Sequence, residues 1–347
     1  MEKESFDLNL VSKYRSELMG IAILMVVFHH LTIRIDTGII AKAYMFLRVT
    51  GAMGVDIFLF LSAIGLYRSY ENSSGVGEFY KKRFVRILPA YVIVCGIDYA
   101  VQYLLRADFQ FNSFLYRFFL IQYWTEGLGD WYIAAIIILY AIYPAIHCII
   151  KKYKWGGYIG LNILWTIVVI TIYHQAPNLF HNAETFWPRI PVFLFGAAIS
   201  RFVFEHKGIR KSIVPVCIGV NVASLFGEAF FALQGAGVAY SFWPRLLYFP
   251  LAVSFVVIAI VCFEHFDDSK AKNKVSSLLS WVGAITLEVY LLNQRLINRC
   301  CILFETLFGY QNMKTIIIGN LLGVLLTFVF GYLLHIMTIK IAKKQVR

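Results

Sequence analysis

Charge is scarce in this chain. Only 15% of its 347 residues are Asp, Glu, Lys or Arg, against roughly 25% in a soluble domain. Apolar residues fill the difference at 59%, and mean hydropathy is +0.68. Polar blocks long enough to fold alone are also missing, since the polar connections run to roughly ten to twenty residues, short of a domain. Together these absences exclude a soluble protein and predict one polytopic membrane domain over residues 1–347, with no separate soluble domain. Cysteine is present but unclustered. Cys95, Cys148, Cys217, Cys262, Cys300 and Cys301 sit in or beside apolar runs, and none forms a C-x-x-C pair. That spacing argues against a disulfide framework or a metal site, so no metal is expected and the thiols read as small buried hydrophobes. A cleavable leader is lacking too. Residues Met1 to Arg15 are polar, and the apolar run after them has no small-residue cleavage signal. It reads as a retained first span.

Long apolar runs are what the chain does have. A membrane-spanning helix needs about 20 mostly apolar residues. Segments near 16–34, 48–68, 86–105, 131–150, 156–173, 189–204, 212–233, 243–263, 277–298 and 314–339 meet that need. The expected fold is therefore an all-α integral membrane protein of about ten transmembrane helices in one bundle. The stretch "SFLYRFFLIQYW", 113–124, is apolar but too short to cross, and is expected to lie in the interface or re-enter. Ten spans put both termini on one side. With that side cytoplasmic, 22 of the 32 Lys and Arg fall on the inner side and 10 on the outer, as the positive-inside rule requires. The net charge of +12 is read here as topology, and nucleic acid is not an expected partner.

Ionisable side chains inside a bilayer are costly and are functional candidates by default. The first span, "GIAILMVVFHHL" (Gly20 to Leu31), carries two, His29 and His30. Neighbouring residues sit 100° apart on a helix, so one histidine can face the bundle interior while the other packs against a neighbour. A helix–helix hydrogen bond is the plainer role for either. Asp56, in "GAMGVDIFLFLSAIGLYRSY", lies at a similar depth in the second span. It can accept a hydrogen bond from His30 and orient it as a base, or simply favour the start of its helix. Arg83 and Arg86 are three residues apart, hence on one helix face, at the cytoplasmic entrance to the third span. They read as a topology signal and anionic-lipid contact, or as forked guanidiniums for the phosphates of a nucleotide-like ligand. On the outer side "FWPRIPVF" and "FWPRLLYF" echo one another. Both open a span with Pro in the first turn and Trp at the interface. Arg189 and Arg245 then mark either two helix starts or the lining of a polar cavity. Trp124, Trp131, Trp187 and Trp243 share this side, as an aromatic belt or as rings for stacking on sugars.

In this order, these segments resemble the acyltransferase-3 family, bacterial membrane O-acyltransferases that decorate surface polysaccharides and related acceptors. "LMGIAILMVVFHHL" is similar to its first span, which ends in His. "GVDIFLFLSAIGL" is similar to its Gly-Val-Asp-aromatic span, and "FYKKRFVRILPAY" to its Arg-x-x-Arg segment before Pro. "DWYIAAIIILYAIYP", "RIPVFLFGAAIS" and "TLEVYLLN" resemble later spans. The chain also departs from the pattern. Met19 stands where the family has an Arg eleven residues before His30, and Arg15 is the nearest substitute. Ile136 and Ile137 stand where many members have a Glu, and Asn293 where a late span often ends in His. The family's frequent extra extracytoplasmic domain is not expected, because the chain ends soon after the tenth span.

The resemblance implies an acyl-CoA donor, with acetyl-CoA foremost, and a hydroxyl on a cell-surface or lipid-linked glycan as acceptor. It implies a multi-pass protein of the cell (inner/plasma) membrane, in contact with membrane lipids. Under it, His30 is the general base and Asp56 its orienting carboxylate. Arg83, Arg86 and Arg15 hold the CoA phosphates, while Trp131, Arg189, Arg245 and His29 line the acceptor side. The rival readings are a transporter or flippase for a glycan or lipid intermediate, its His and Asp forming a proton relay, and an assembly partner of a glycan-export system. No inverted repeat of the spans and no pair of glycine-broken helices is visible to support transport.

Overall fold

The computed structural model describes residues 5–33, 35, 38–105, 110–265, 270–308 and 313–346. Helices dominate throughout. The only strands among the described residues are Ser5–Asp7 and Gly208–Arg210, which pair antiparallel with Ser5 opposite Arg210. Among the described residues, eight helices are long and apolar enough to cross a membrane, or nine if one bent pair counts as a single crossing. Eight of the ten expected spans fall on them, six to within about five residues, while the helices at the second and third spans start ten residues before the expected bounds. The segment 113–124 forms two short helices, Phe111–Phe118 and Ile121–Glu126. They break at Leu120, whose φ of 64° lies in the left-handed region.

The other two expected spans differ, for different reasons. The ninth, 277–298, falls on Lys274–Ala284 and Thr286–Phe308, which are bent by 76°. Gly283 lies just before the break, and sharp kinks collect at such small residues. A side chain on Gly283 would strike the Ser16 carbonyl, and one on Gly20 the Leu279 carbonyl. The first half of the pair therefore crosses the Arg15–His29 helix backbone to backbone. The first span, expected over 16–34, is this helix of 15 residues. It rises about 22 Å, short of the roughly 30 Å hydrocarbon core. Side chains from elsewhere satisfy the backbone groups it leaves open. Arg48 Nε donates to the His29 carbonyl at 2.9 Å, Tyr44 to the Leu31 carbonyl at 3.3 Å, and the Thr32 amide to Asn320 Oδ1 at 2.9 Å. His30 is the helix C-cap, and Arg34 of the expected span lies outside the described residues.

The third span starts ten residues earlier than expected, as the helix Val76–Leu104, so Arg83 and Arg86 lie inside it. Pro89 lacks an amide hydrogen and crowds the preceding turn, and a π-helical stretch, Val92–Gly96, follows it. Burial ranks the helices from centre to edge. Within the most apolar window, 78% of Gly38–Glu71 and 72% of Trp187–Phe204 is buried, but only 6% of Trp155–Gln175. At the N-terminal end Lys13 bonds Glu264 at 2.8 Å, and Tyr14 bonds the same carboxylate. The bond to Glu264 raises the Lys13 ammonium above the ordinary lysine range.

Candidate functional site

A cavity of about 470 Å³, lined by Tyr67, His147, Lys151, Arg201 and Glu205, holds none of the residues nominated by the sequence; two other cavities along the central helices do. The larger of these two, about 390 Å³, is lined by Arg15, Arg68, Lys82, Arg83 and Arg86, and no carboxylate lines it. The first turn of one helix supplies Arg15, and the Val76–Tyr91 helix supplies Arg83 and Arg86 from one face. The three arginines grouped by the sequence thus meet in space. Met19, at the position of the family's arginine, lines the same cavity. Arg83 Nη2 donates to Ser69 Oγ at 2.9 Å, while its Nε is buried without a partner among the described residues. Arg15 Nε reaches the Leu61 carbonyl at 3.4 Å, and a side chain on Gly65 would crowd the Arg15 guanidinium at 3.2 Å. Lys82 alone in this group is ion-paired, to Glu78 at 2.6 Å. Such a set can receive a multiply charged anion, since forked guanidiniums match phosphate oxygens.

The smaller cavity, about 70 Å³, is lined by His29, His30, Trp131, Arg189 and Arg245, together with Tyr240 and other neighbours. All five of these sequence-nominated residues come together here. The two histidines differ sharply. His29 Nδ1 donates to the Arg48 carbonyl at 2.7 Å, and Arg48 Nε donates back to the His29 carbonyl at 2.9 Å. His29 is thereby locked, a supporting group. His30 Nδ1 and Oδ1 of the adjacent Asn293 are both buried, and neither has a partner other than the opposite one among the described residues.

Asp56 corrects the expectation. The carboxylate does not bond His30. Its Oδ2 accepts from Arg189 Nε at 3.1 Å, and it is fully buried with Oδ1 unpartnered. The Arg189 guanidinium also donates to the Thr185 carbonyl at 2.6 Å and lies over the Trp131 ring at 4.9 Å and the Tyr248 ring at 5.6 Å. A buried cation attracts a carboxylate more strongly than a neutral imidazole does, so the pair forms across two helices distant in sequence. Asp56 thus meets the cavity through Arg189, which lines it. Arg245 approaches Glu184 at 3.8 Å. Of the four tryptophans, only Trp131 lines the cavity. Trp187 is buried and donates to the Phe180 carbonyl at 2.9 Å, Trp124 packs edge-on against Phe186, and Trp243 is exposed.

Beside this cavity, Arg295 donates to both oxygens of Asp130 at 2.8 Å and to Asp98 at 3.2 Å. Tyr99 bonds Asp130, and Arg299 bonds Asp98. Glu228 is fully buried near Asp56 and Tyr248, with neither oxygen partnered among the described residues. Sequence reasoning missed this network and Glu228, although the rule that flagged Asp56 covers Asp98 and Glu228 equally: each is an acid in an apolar span. No cluster of His, Cys, Asp or Glu among the described residues can hold a metal ion.

Long apolar helices around intramembrane charges define an α-helical multi-pass membrane protein. The acyltransferase domain of the acyltransferase-3 family matches residues 18–341, and the chain belongs to that family. No curated protein and no solved structure matches it.

Proposed function

We propose that the protein transfers an acyl group, acetyl foremost, from acyl-CoA to a hydroxyl of a cell-surface or lipid-linked glycan, with His30 as general base. One observation carries this reading. Four arginines without a carboxylate partner among the described residues line the larger cavity, and the smaller cavity holding His30 lies alongside it on the same helices. Arg15 and Arg83 are partly buried and Arg68 and Arg86 exposed at the mouth of the larger cavity; cations of one sign gathered around a cavity attract an anion, and the phosphates of CoA supply several charges at once. In this reading both termini are cytoplasmic, the protein sits in the cell membrane, and the larger cavity opens to the side where acyl-CoA is made. The Arg15–His29 helix and the bent pair complete ten crossings.

The chemistry follows from an imidazole at the wall of the smaller cavity. His30 takes the proton of the acceptor hydroxyl as the oxygen attacks the thioester carbonyl. The new C–O bond forms, the C–S bond breaks, and the CoA thiolate leaves with the proton returned by the imidazolium. Ester and free CoA thiol are the products. Arg189 and Arg245 at the cavity wall present positive charge to the developing oxyanion and to acceptor hydroxyls. The deciding experiment is purified protein with labelled acetyl-CoA and an accepting glycan. His30→Ala is expected to fold and to lose about 10²–10⁴-fold in rate. A folded H30A protein that transfers label at the full rate overturns the assignment. Wild-type protein that transfers nothing, yet moves glycan across vesicles, establishes the transport reading instead.

A further inference from the structure

The two cavities share one side chain, that of Tyr290. On two of the helices that wall both, the lining changes over within one to three residues. Tyr132 lines the larger cavity while Trp131, the preceding residue, lines the smaller; Phe58 lines the larger and Val55 the smaller. Three residues of helix rise about 4.5 Å, so the barrier between the cavities is about one side chain thick. Its substance is aromatic. The Tyr290 ring centroid lies 4.8 Å from that of Tyr132, and the Tyr132 ring 6.3 Å from that of Phe58. Phe58 and Tyr132 are buried, whereas Tyr290 keeps part of its surface open. The Tyr290 backbone is anchored, its carbonyl accepting from Asn293 Nδ2 at 2.7 Å, one helical turn from the histidine.

We propose that Tyr290 is the movable part of this septum and the residue that limits the length of the transferred acyl group. The inference rests on the reading of the larger cavity as the donor site. For a thioester held there to reach His30, a ring must swing aside, and Tyr290 is the one that borders both spaces. Beyond it, about 70 Å³ holds roughly five water-sized groups. An acetyl group and the attacking hydroxyl fill that volume, and a hexanoyl chain has no room. With the tyrosine ring gone the two cavities merge, and a longer chain can lie back into the vacated space.

The test compares wild type with Tyr290→Phe, which keeps the ring, and Tyr290→Ala, which removes it. Each is given acetyl-, butyryl- and hexanoyl-CoA. Wild type and Y290F are expected to prefer acetyl. In Y290A the hexanoyl-to-acetyl rate ratio is expected to rise at least about tenfold, the discrimination that methylene-sized differences in a pocket provide. A second readout does not depend on turnover. Ala52 lines the smaller cavity, and Ala52→Cys is probed with a membrane-impermeant maleimide added from the side of the larger cavity, the product located by peptide mapping. Position 52 is expected to react in the Y290A background and to be protected in the wild-type and Y290F backgrounds. A Y290A protein that melts like Y290F, keeps the acetyl preference and leaves position 52 protected overturns the proposal, as does free labelling in the wild-type background. Protection that depends on Tyr290 in a protein that uses no acyl-CoA keeps the septum and overturns the donor reading.

Discussion

The arginines at the two ends of the bundle are treated in opposite ways. Around the histidine cavity, Arg189 meets Asp56, Arg245 approaches Glu184, and Arg295 and Arg299 meet Asp98 or Asp130. Around the larger cavity Arg15, Arg68, Arg83 and Arg86 meet no carboxylate among the described residues; Arg83 leans on a serine hydroxyl and Arg68 on the Phe204 ring. Pairing makes a cation part of the scaffold, because the cost of burying it is offset inside the protein. Leaving it unpaired around a cavity transfers that offset to a ligand. The same residue type is therefore paired at one end and, in the proposed reading, left for an anion at the other.

The contrast can be broken most forcefully at Asp56. Asp56→Ala leaves the Arg189 guanidinium, whose side chain is only 3% exposed, without its partner, and is expected to cost about 3–5 kcal/mol of stability. The readout is the melting temperature of the solubilised protein. Removing both charges, as Asp56→Leu with Arg189→Met, is expected to recover most of the loss. An Asp56→Ala protein that melts like wild type would show that the pair is not scaffold.

Arg83→Ala and Arg86→Ala are expected to behave in the opposite manner. Each should weaken acyl-CoA binding by about 1.5–3 kcal/mol, the range for hydrogen bonds to charged groups, which is roughly 10–100-fold in KM. Melting temperature should hold or rise, since mutual repulsion in the cluster is relieved. Arg83→Lys should recover the charge but not the fork. An arginine variant that melts low and binds CoA normally would place the cluster with the scaffold.

The smallest effect is at Lys13, half exposed and paired with Glu264. Lys13→Met is expected to cost about 0.2–1 kcal/mol. Because pairing raises the Lys13 pKa, its contribution is complete below the unfolded lysine value of about 10.4 and is lost as pH rises through the folded value. Thermal melts of K13M and wild type should therefore differ slightly at neutral pH and converge in strong alkali.

Much of this was legible in the sequence, and the division has a physical basis. Apolar length fixes where a helix can cross, so eight expected spans fall on such helices, six of them nearly in place. Arg83 and Arg86 read correctly as one face because three residues separate them within one helix. Arg15 joined them on the strength of its helical register relative to Met19. The pairing of Asp56 was not legible, since Arg189 lies 133 residues away and no local period encodes which helices touch. For the same reason Asp98, Asp130 and Arg295 went unnoticed as a unit. Tyr290 carried no signal at all: one aromatic in an apolar span is ordinary, and only two cavities meeting at its ring single it out. The early end of the first helix was hidden as well, because the groups that close it come from Tyr44, Arg48 and Asn320.

That first helix also works as a gauge. It carries Arg15 into one cavity and the histidine cap into the other, with nothing but regular turns between. One residue inserted along it would spin the cap through about 100° and lift it by about 1.5 Å, taking the imidazole out of its cavity with every side chain still present. What the segment preserves is a count of residues, and the two chambers are kept in phase by it.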